Sequence, residues 1–241
     1  LVVTAAACTA VDRAEDEPEL AMRVNAGAVG ALGAWAASNR ARVVHYSTDY
    51  VFDGTATRPY REDDAPNPLG AYGRSKLAGE IALRGSGARH LILRTAWVYA
   101  ARGHNFLRTM LRLAGERDTL RVVDDQVGAP TPASLIAAVS AQAIARWHAD
   151  RPEAGASSGG TSSGLDGMYH LVAAGETSWC GFARAIFEFT GTYPLRHASC
   201  RDTRVQPPAG HAQPTADERE LPRAFFGLYL DGVVHEHEQE R

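Results

Sequence analysis

The sequence predicts an α/β fold built on a parallel sheet, and three observations carry that expectation. Short apolar runs rich in β-branched residues alternate with longer segments of helical periodicity, the pattern of βαβ units. The residues with chemical potential, Thr48, Asp49, Tyr72 and Trp97, follow strands or open a helix, and the carboxyl rim of a parallel sheet is where ligands bind. A chain of 241 residues, 45% hydrophobic and 22% charged, is long and apolar enough to bury a sizeable core.

The elements follow in order. Residues 1–7 predict a buried strand. Asp16-Glu17-Pro18 opens a helix, since acids suit a first turn and Pro suits its first position. Leu20, Val24, Ala28, Leu32 and Trp35 give that helix an apolar face as far as Asn39. Residues 42–47 form a second strand; Asp53-Gly54 and residues 63–68 are loop. A helix around Tyr72 runs to about Arg84, and 90–95 is a third strand. Residues 105–116 are helical with Phe106, Met110 and Leu113 apolar, 119–124 are strand, and 132–147 are an Ala-rich helix. Ser and Gly in 155–167 predict a flexible loop, followed by a strand at 168–173 and an amphipathic helix at 179–190. After Cys200 the pattern weakens and recovers apolar content only at 221–230.

Bulk properties exclude several classes. A net charge of -3 with no basic stripe argues against a general nucleic-acid binder. No apolar run reaches the roughly 18 residues of a membrane-spanning helix, and no leader pattern opens the chain. Cys8, Cys180 and Cys200 are odd in number and far apart, which suits neither a disulfide framework nor a Cys-x-x-Cys metal site, so a reducing cytoplasm fits best.

Lys76 is the sole lysine among 25 Lys and Arg residues, and it stands four residues after Tyr72. Arg is a wide fork that stays charged, whereas Lys is a compact point charge on a flexible stem. At that spacing phenol and ammonium share one helix face, and a cation beside a phenol lowers its pKa toward acid–base use. A solvated Tyr–Lys pair has the same spacing. Thr48, 24 positions before Tyr72, offers a hydroxyl at a strand end, either to close its own turn or to bond a substrate carbonyl. Trp97, just past the third strand, fits a core position or a stacking surface for a ring-shaped ligand. Small residues from Ala5 to Ala10 would let a flat cofactor lie close to the backbone, or a helix pack tightly on the sheet.

Five blocks now stand in order: Thr9-Ala-Val-Asp-Arg-Ala-Glu15, His45-Tyr-Ser-Thr-Asp-Tyr-Val-Phe-Asp-Gly54, Tyr72-Gly-Arg-Ser-Lys-Leu-Ala-Gly-Glu80, Arg94-Thr-Ala-Trp-Val-Tyr99 and Asp125-Gln-Val-Gly-Ala-Pro-Thr131. On these the chain resembles the extended short-chain dehydrogenase/reductases, and within them the dTDP-4-dehydrorhamnose reductase branch. The resemblance implies a Rossmann-like doubly wound parallel sheet. Residues 1–114 would form the dinucleotide-binding domain, with 133–174 returning to it, and 115–132 with 175–241 a smaller substrate-binding domain.

The resemblance also implies roles. Tyr72 donates a proton to the C4 carbonyl of a dTDP-4-keto-sugar; Lys76 holds the nicotinamide ribose and lowers the Tyr72 pKa; Thr48 assists at the carbonyl. Asp49 and Trp97 belong to the substrate site, and Ala7, Cys8, Thr9 and Tyr46 line NADPH or NADH together with Tyr72 and Lys76. The product would be dTDP-L-rhamnose, and a homodimer is compatible with the family. A non-catalytic alternative is an NADP-binding regulatory subunit like the β subunit of methionine adenosyltransferase; a truncated, inactive product is another.

Two departures stand out. The family's G-x-x-G-x-x-G turn is missing, and the chain opens without Met inside an apparent strand, which predicts a preceding part of at least one βαβ unit, roughly 30 residues or more. The family's Arg-Pro-x-Asn-Ser-x-Leu motif is not reproduced at Arg204-Val-Gln-Pro-Pro208. Some relatives hold a metal at a dimer contact through a glutamate; Ser134 stands in that place, so no such metal is expected.

Overall fold

Val43 and Val44 are neighbours in the chain, yet both are fully buried, in different cores. Successive side chains of a strand point to opposite faces, so a strand buried on both faces must be covered on both. The computed structural model describes residues 1–149, 165–191 and 198–201. In chain order these form β1 (Val2–Thr4), α1 (Val11–Asp16), α2 (Pro18–Met22), α3 (Ala28–Ser38), β2 (Arg42–Thr48), α4 (Ala71–Gly85), β3 (Arg89–Thr95), β4 (Val98–Tyr99) and α5 (Phe106–Glu116). There follow β5 (Leu120–Val123), β6 (Val127–Gly128), β7 (Thr131–Pro132), α6 (Ala133–Ala149), β8 (Gly167–His170), β9 (Thr177–Ser178), α7 (Trp179–Thr190) and β10 (Ala198–Arg201).

The main sheet has the order β1-β2-β3-β8, all parallel. On one face Val43 and Ile92 pack with Val29 and Ala36 of α3 and Leu83 of α4. On the other, Val44, Leu91 and Leu93 pack with Ile136 and Trp147 of α6 and Leu171. The α/β, Rossmann-like fold expected from the sequence is therefore present. A further core joins Leu107, Met110 and Leu111 of α5, Leu120 and Val122 of β5, and Phe182, Ile186 and Phe187 of α7. Cys180 in this core is disulfide-bonded, which its scattered cysteines gave no reason to expect.

The α2–α3 stretch departs from its predicted face. The helices join through a π turn, Arg23–Gly27, and the buried stripe is Ala21, Asn25, Val29, Gly33 and Ala36. Trp35, expected on the apolar face, is 51% exposed. The reason is the closeness of α4. A Cβ on Gly79 would lie 2.1 Å from the Asn25 carbonyl oxygen, and one on Gly33 would lie 2.8 Å from Ser86 Oγ. Only small side chains fit between backbones that approach this closely. Gly79→Ala is accordingly expected to destabilise the protein by about 2 kcal/mol through overpacking. A urea midpoint unchanged in that variant would contradict the packing described.

The first strand is shorter than predicted. It ends at Thr4, and residues 5–10 leave the sheet before the unforeseen helix α1. Part of the 155–167 loop, the Arg204–Pro208 departure and the 221–230 segment lie outside the described residues. Among the described residues no helix is long and apolar enough to cross a membrane.

Candidate active site

At the carboxyl ends of β1, β2 and β3 lies a cavity of about 660 Å³. Its lining includes most of the residues singled out in the sequence: Ala7, Thr9, Tyr46, Thr48, Asp49, Tyr72, Lys76 and Trp97. Cys8 is not part of that lining. Its N–H donates to Asn25 Oδ1 at 2.8 Å, and its carbonyl accepts from Asn25 Nδ2 at 3.0 Å. Asn25, 1% exposed, also donates to Ser75 Oγ at 3.0 Å and so ties the segment that follows β1 to α4. A polar residue inside an otherwise small, apolar stripe was the sequence signal for it.

Local chemistry puts Tyr72 where it is. Helix α4 begins at Ala71, whose N–H donates to Glu15 Oε1 at 2.5 Å, so a carboxylate sits at the positive end of the helix. A Cβ on Gly73 would lie 2.2 Å from the Tyr50 carbonyl oxygen. The missing side chain lets α4 start against the 3-10 turn Asp49–Val51 that follows β2. Thr48 caps that turn: its Oγ1 accepts from the Tyr50 N–H at 3.2 Å and donates to Asp49 Oδ1 at 3.0 Å. The turn-closing reading of Thr48 is therefore met, and the same hydroxyl lies within hydrogen-bonding reach of the Tyr72 phenol. Tyr50 meets the Tyr72 ring edge-on, with centroids 5.6 Å apart.

The electrostatics differ from the expectation that Lys76 depresses the Tyr72 pKa. Burial raises the phenol to about 12, the Thr48 hydrogen bond pulls it down, and Asp49 raises it again. Burial also lowers Lys76, to about 8, with Glu80 acting in the opposite sense. Lys76 Nζ donates to the Tyr46 carbonyl at 2.6 Å and lies 3.5 Å from His45 Nε2. Glu80, four residues on, is not available to Lys76. Its two oxygens accept from Arg94 Nε at 2.9 Å and Nη2 at 2.6 Å, a fork with both side chains at most 1% exposed. In this state burial holds the phenol as a protonated acid, and among the described residues no carboxylate bonds the Lys76 ammonium.

Trp97 lines the cavity, but not as a free stacking face. Its backbone is left-handed, φ 46°. The Trp179 ring stacks on it with centroids 3.5 Å apart and planes within 6°. A Cβ on Gly128 would lie 2.4 Å from Trp97 Cε2 and 2.7 Å from both Cζ2 and Nε1, which places it above the ring plane rather than at the rim. Trp179 leaves no room on its own side, so Gly128 covers the other. The indole edge is what remains for a ligand. Trp179 is itself oriented by donating Nε1–H to Gln126 Oε1 at 3.1 Å.

A parallel sheet whose carboxyl rim brings a Thr, a Tyr and a Lys to one cavity has the layout of a Rossmann-like nucleotide-binding fold. The family model described as the RmlD substrate binding domain matches residues 1–222, and the chain belongs to that family. It is 52% identical over 188 residues to the dTDP-4-dehydrorhamnose reductase of Salmonella typhimurium, covering 78% of this chain and 59% of that one. The chain thus spans less than two thirds of that relative's length. Among solved structures, a dTDP-4-dehydrorhamnose reductase of Clostridium acetobutylicum superimposes with a TM-score of 0.80 at 33% identity, covering 96% of this chain and 80% of that one. The Bacillus anthracis reductase, solved in complex with NADP, gives a TM-score of 0.77 at 29% identity, covering 100% of this chain and 81% of that one.

Proposed function

We propose that the protein reduces the C4 carbonyl of dTDP-4-dehydro-L-rhamnose to give dTDP-L-rhamnose, using NADPH or NADH. The observation that carries this reading is the buried Tyr72, hydrogen-bonded to Thr48 and followed at four residues by the sole lysine, in a cavity at the sheet's carboxyl rim. The cavity suits a flat cofactor: Ala5, Ala7, Ala133 and Ala137 in its lining are too small to keep a planar ring from the backbone. Lys76, with one N–H on the Tyr46 carbonyl and His45 Nε2 3.5 Å away, keeps an N–H for a ribose hydroxyl.

When bound, the reduced nicotinamide supplies the hydride to C4. Tyr72, together with Thr48 once its one hydroxyl hydrogen turns from Asp49 Oδ1 to the substrate, polarises the carbonyl oxygen by hydrogen bonding, and the Tyr72 phenol gives it the proton that completes the alcohol. A phenol raised to about 12 is protonated at any working pH, which suits a donor. The phenolate left behind is stabilised by the Lys76 ammonium. Asp49 and the Trp97 edge bound the sugar side. The division proposed is that 1–114 with 133–174 carry the dinucleotide, while 115–132 and 175–241 carry the sugar nucleotide. The family likeness supports a homodimer acting in the cytoplasm, and sedimentation velocity tests the assembly.

Two predictions follow from Lys76. Its pKa is lowered to about 8, so the ammonium is present below that pH and lost above it. Turnover should therefore fall as pH rises through about 8, while Tyr72 stays protonated. A profile flat to pH 10 would contradict this assignment. Lys76→Arg keeps the charge but not the shape, and kcat should drop at least about tenfold because the wide fork does not fit the Tyr46 carbonyl site. The reading as a whole is tested by mixing the protein with reduced nicotinamide and the keto-sugar nucleotide. Turnover supports it; cofactor binding without turnover would point to the regulatory alternative.

A further inference from the structure

We propose that His45 is a positioning residue for Lys76, a neutral acceptor that aims the ammonium into the cavity. This deepens the reading above and rests on it for its meaning. His45 lies in β2, 1% exposed, with Nε2 3.5 Å from Lys76 Nζ and Nδ1 2.6 Å from Thr4 Oγ1 on β1. The Thr4 hydroxyl also reaches the Val44 carbonyl at 3.3 Å. It has one proton, so two arrangements exist. If that proton went to His45 Nδ1, Nε2 would carry hydrogen and face the ammonium's own hydrogens. If it goes to the Val44 carbonyl, Nδ1–H donates to Thr4, and Nε2 presents a lone pair to Lys76. Only the second has every donor facing an acceptor.

The groups around this contact support the same assignment. From β2 itself the Tyr46 carbonyl takes one Lys76 N–H. From α4, Glu80 is held in its fork with Arg94 of β3 and does not compete for the ammonium. Burial and the Lys76 charge lower the His45 pKa to about 3, so the ring stays neutral wherever the enzyme works. With Tyr46 and His45 each accepting one N–H, one N–H remains for the cavity. A lysine on a flexible stem thereby presents a single donor in a fixed direction.

The sole lysine makes the test clean. Protein grown with 13Cε-lysine gives one lysine side-chain resonance, and its titration needs neither cofactor nor substrate. His45→Leu removes the acceptor and should lower the Lys76 midpoint by about half a unit or more, because the charged form loses a hydrogen bond. His45→Gln, which puts a neutral oxygen where Nε2 was, should restore it to within a few tenths of a unit. Thr4→Val, a milder change should His45→Leu not fold, frees the tautomer and should also lower the midpoint. With cofactor and keto-sugar, kcat should follow the midpoints, falling in the Leu variant and recovering in the Gln variant, with KM for the sugar unchanged. A wild-type midpoint in both His45→Leu and Thr4→Val would overturn the positioning role. Shifted midpoints with no turnover in any variant, wild type included, would leave that role intact and refute the reductase reading.

Discussion

Tyr72→Phe is expected to turn over about 100- to 10,000-fold more slowly than the wild type while still binding reduced nicotinamide. The substitution deletes one oxygen and one proton. Thr48 keeps its bonds to Asp49 and to the Tyr50 N–H, so the rim of the site stays organised. What is lost is the acid that protonates the carbonyl oxygen, and water has little access to replace it because the tyrosine is 9% exposed. Parallel measurements of kcat and of cofactor affinity by fluorescence quenching separate the two effects. A variant with near wild-type kcat would remove Tyr72 from the chemistry.

The second large effect is on stability. Arg94→Met leaves the Glu80 carboxylate buried without its fork and should cost about 3–5 kcal/mol, read from the urea midpoint at neutral pH. Arg94 is also stacked over Phe52, 5.0 Å from the ring centroid, so some packing goes with the charge. Adding Glu80→Leu should recover a large part of the loss, because two apolar side chains need no partners. The single variant carries a second signature. Glu80 stands one helical turn after Lys76, and a released carboxylate raises an ammonium's pKa. The alkaline limb of turnover should then move upward in Arg94→Met and not in the double variant. Equal stability in the single and double variants would show that the fork is not what holds this layer.

The parts of this account that were legible in the sequence are those with a local signature. The strands 42–47 and 90–95 carry consecutive aliphatic residues, Val43-Val44 and Leu91-Ile92-Leu93, and both are buried on two faces as such runs must be in a parallel sheet. The Tyr72–Lys76 spacing places both groups on one face of a single helix, and both line one cavity. What escaped depends on distance between elements. Trp35 is apolar and points outward because α4 approaches α3 closely at Gly33, leaving small residues such as Gly33 and Ala36 on the buried side, and no residue in α3 alone announces that approach. Cys8 sits among cavity-lining neighbours but outside the lining, its backbone held by Asn25, 17 positions later. The stack of Trp97 on Trp179 joins residues 82 apart, and it converts an expected ring-stacking surface into an edge. The pKa order was also out of reach. Spacing suggests that a cation acts on a phenol, whereas burial, which only the fold reveals, acts more strongly on both.

The most direct measurement follows the absorbance of NADPH when the protein is mixed with dTDP-4-dehydro-L-rhamnose, beside Tyr72→Phe under the same conditions. The expected result is stoichiometric loss of NADPH with dTDP-L-rhamnose as product, and a loss at least about 100-fold slower in the variant. Saturable NADPH binding with no oxidation in the wild-type protein, or equal rates in the two proteins, would contradict it.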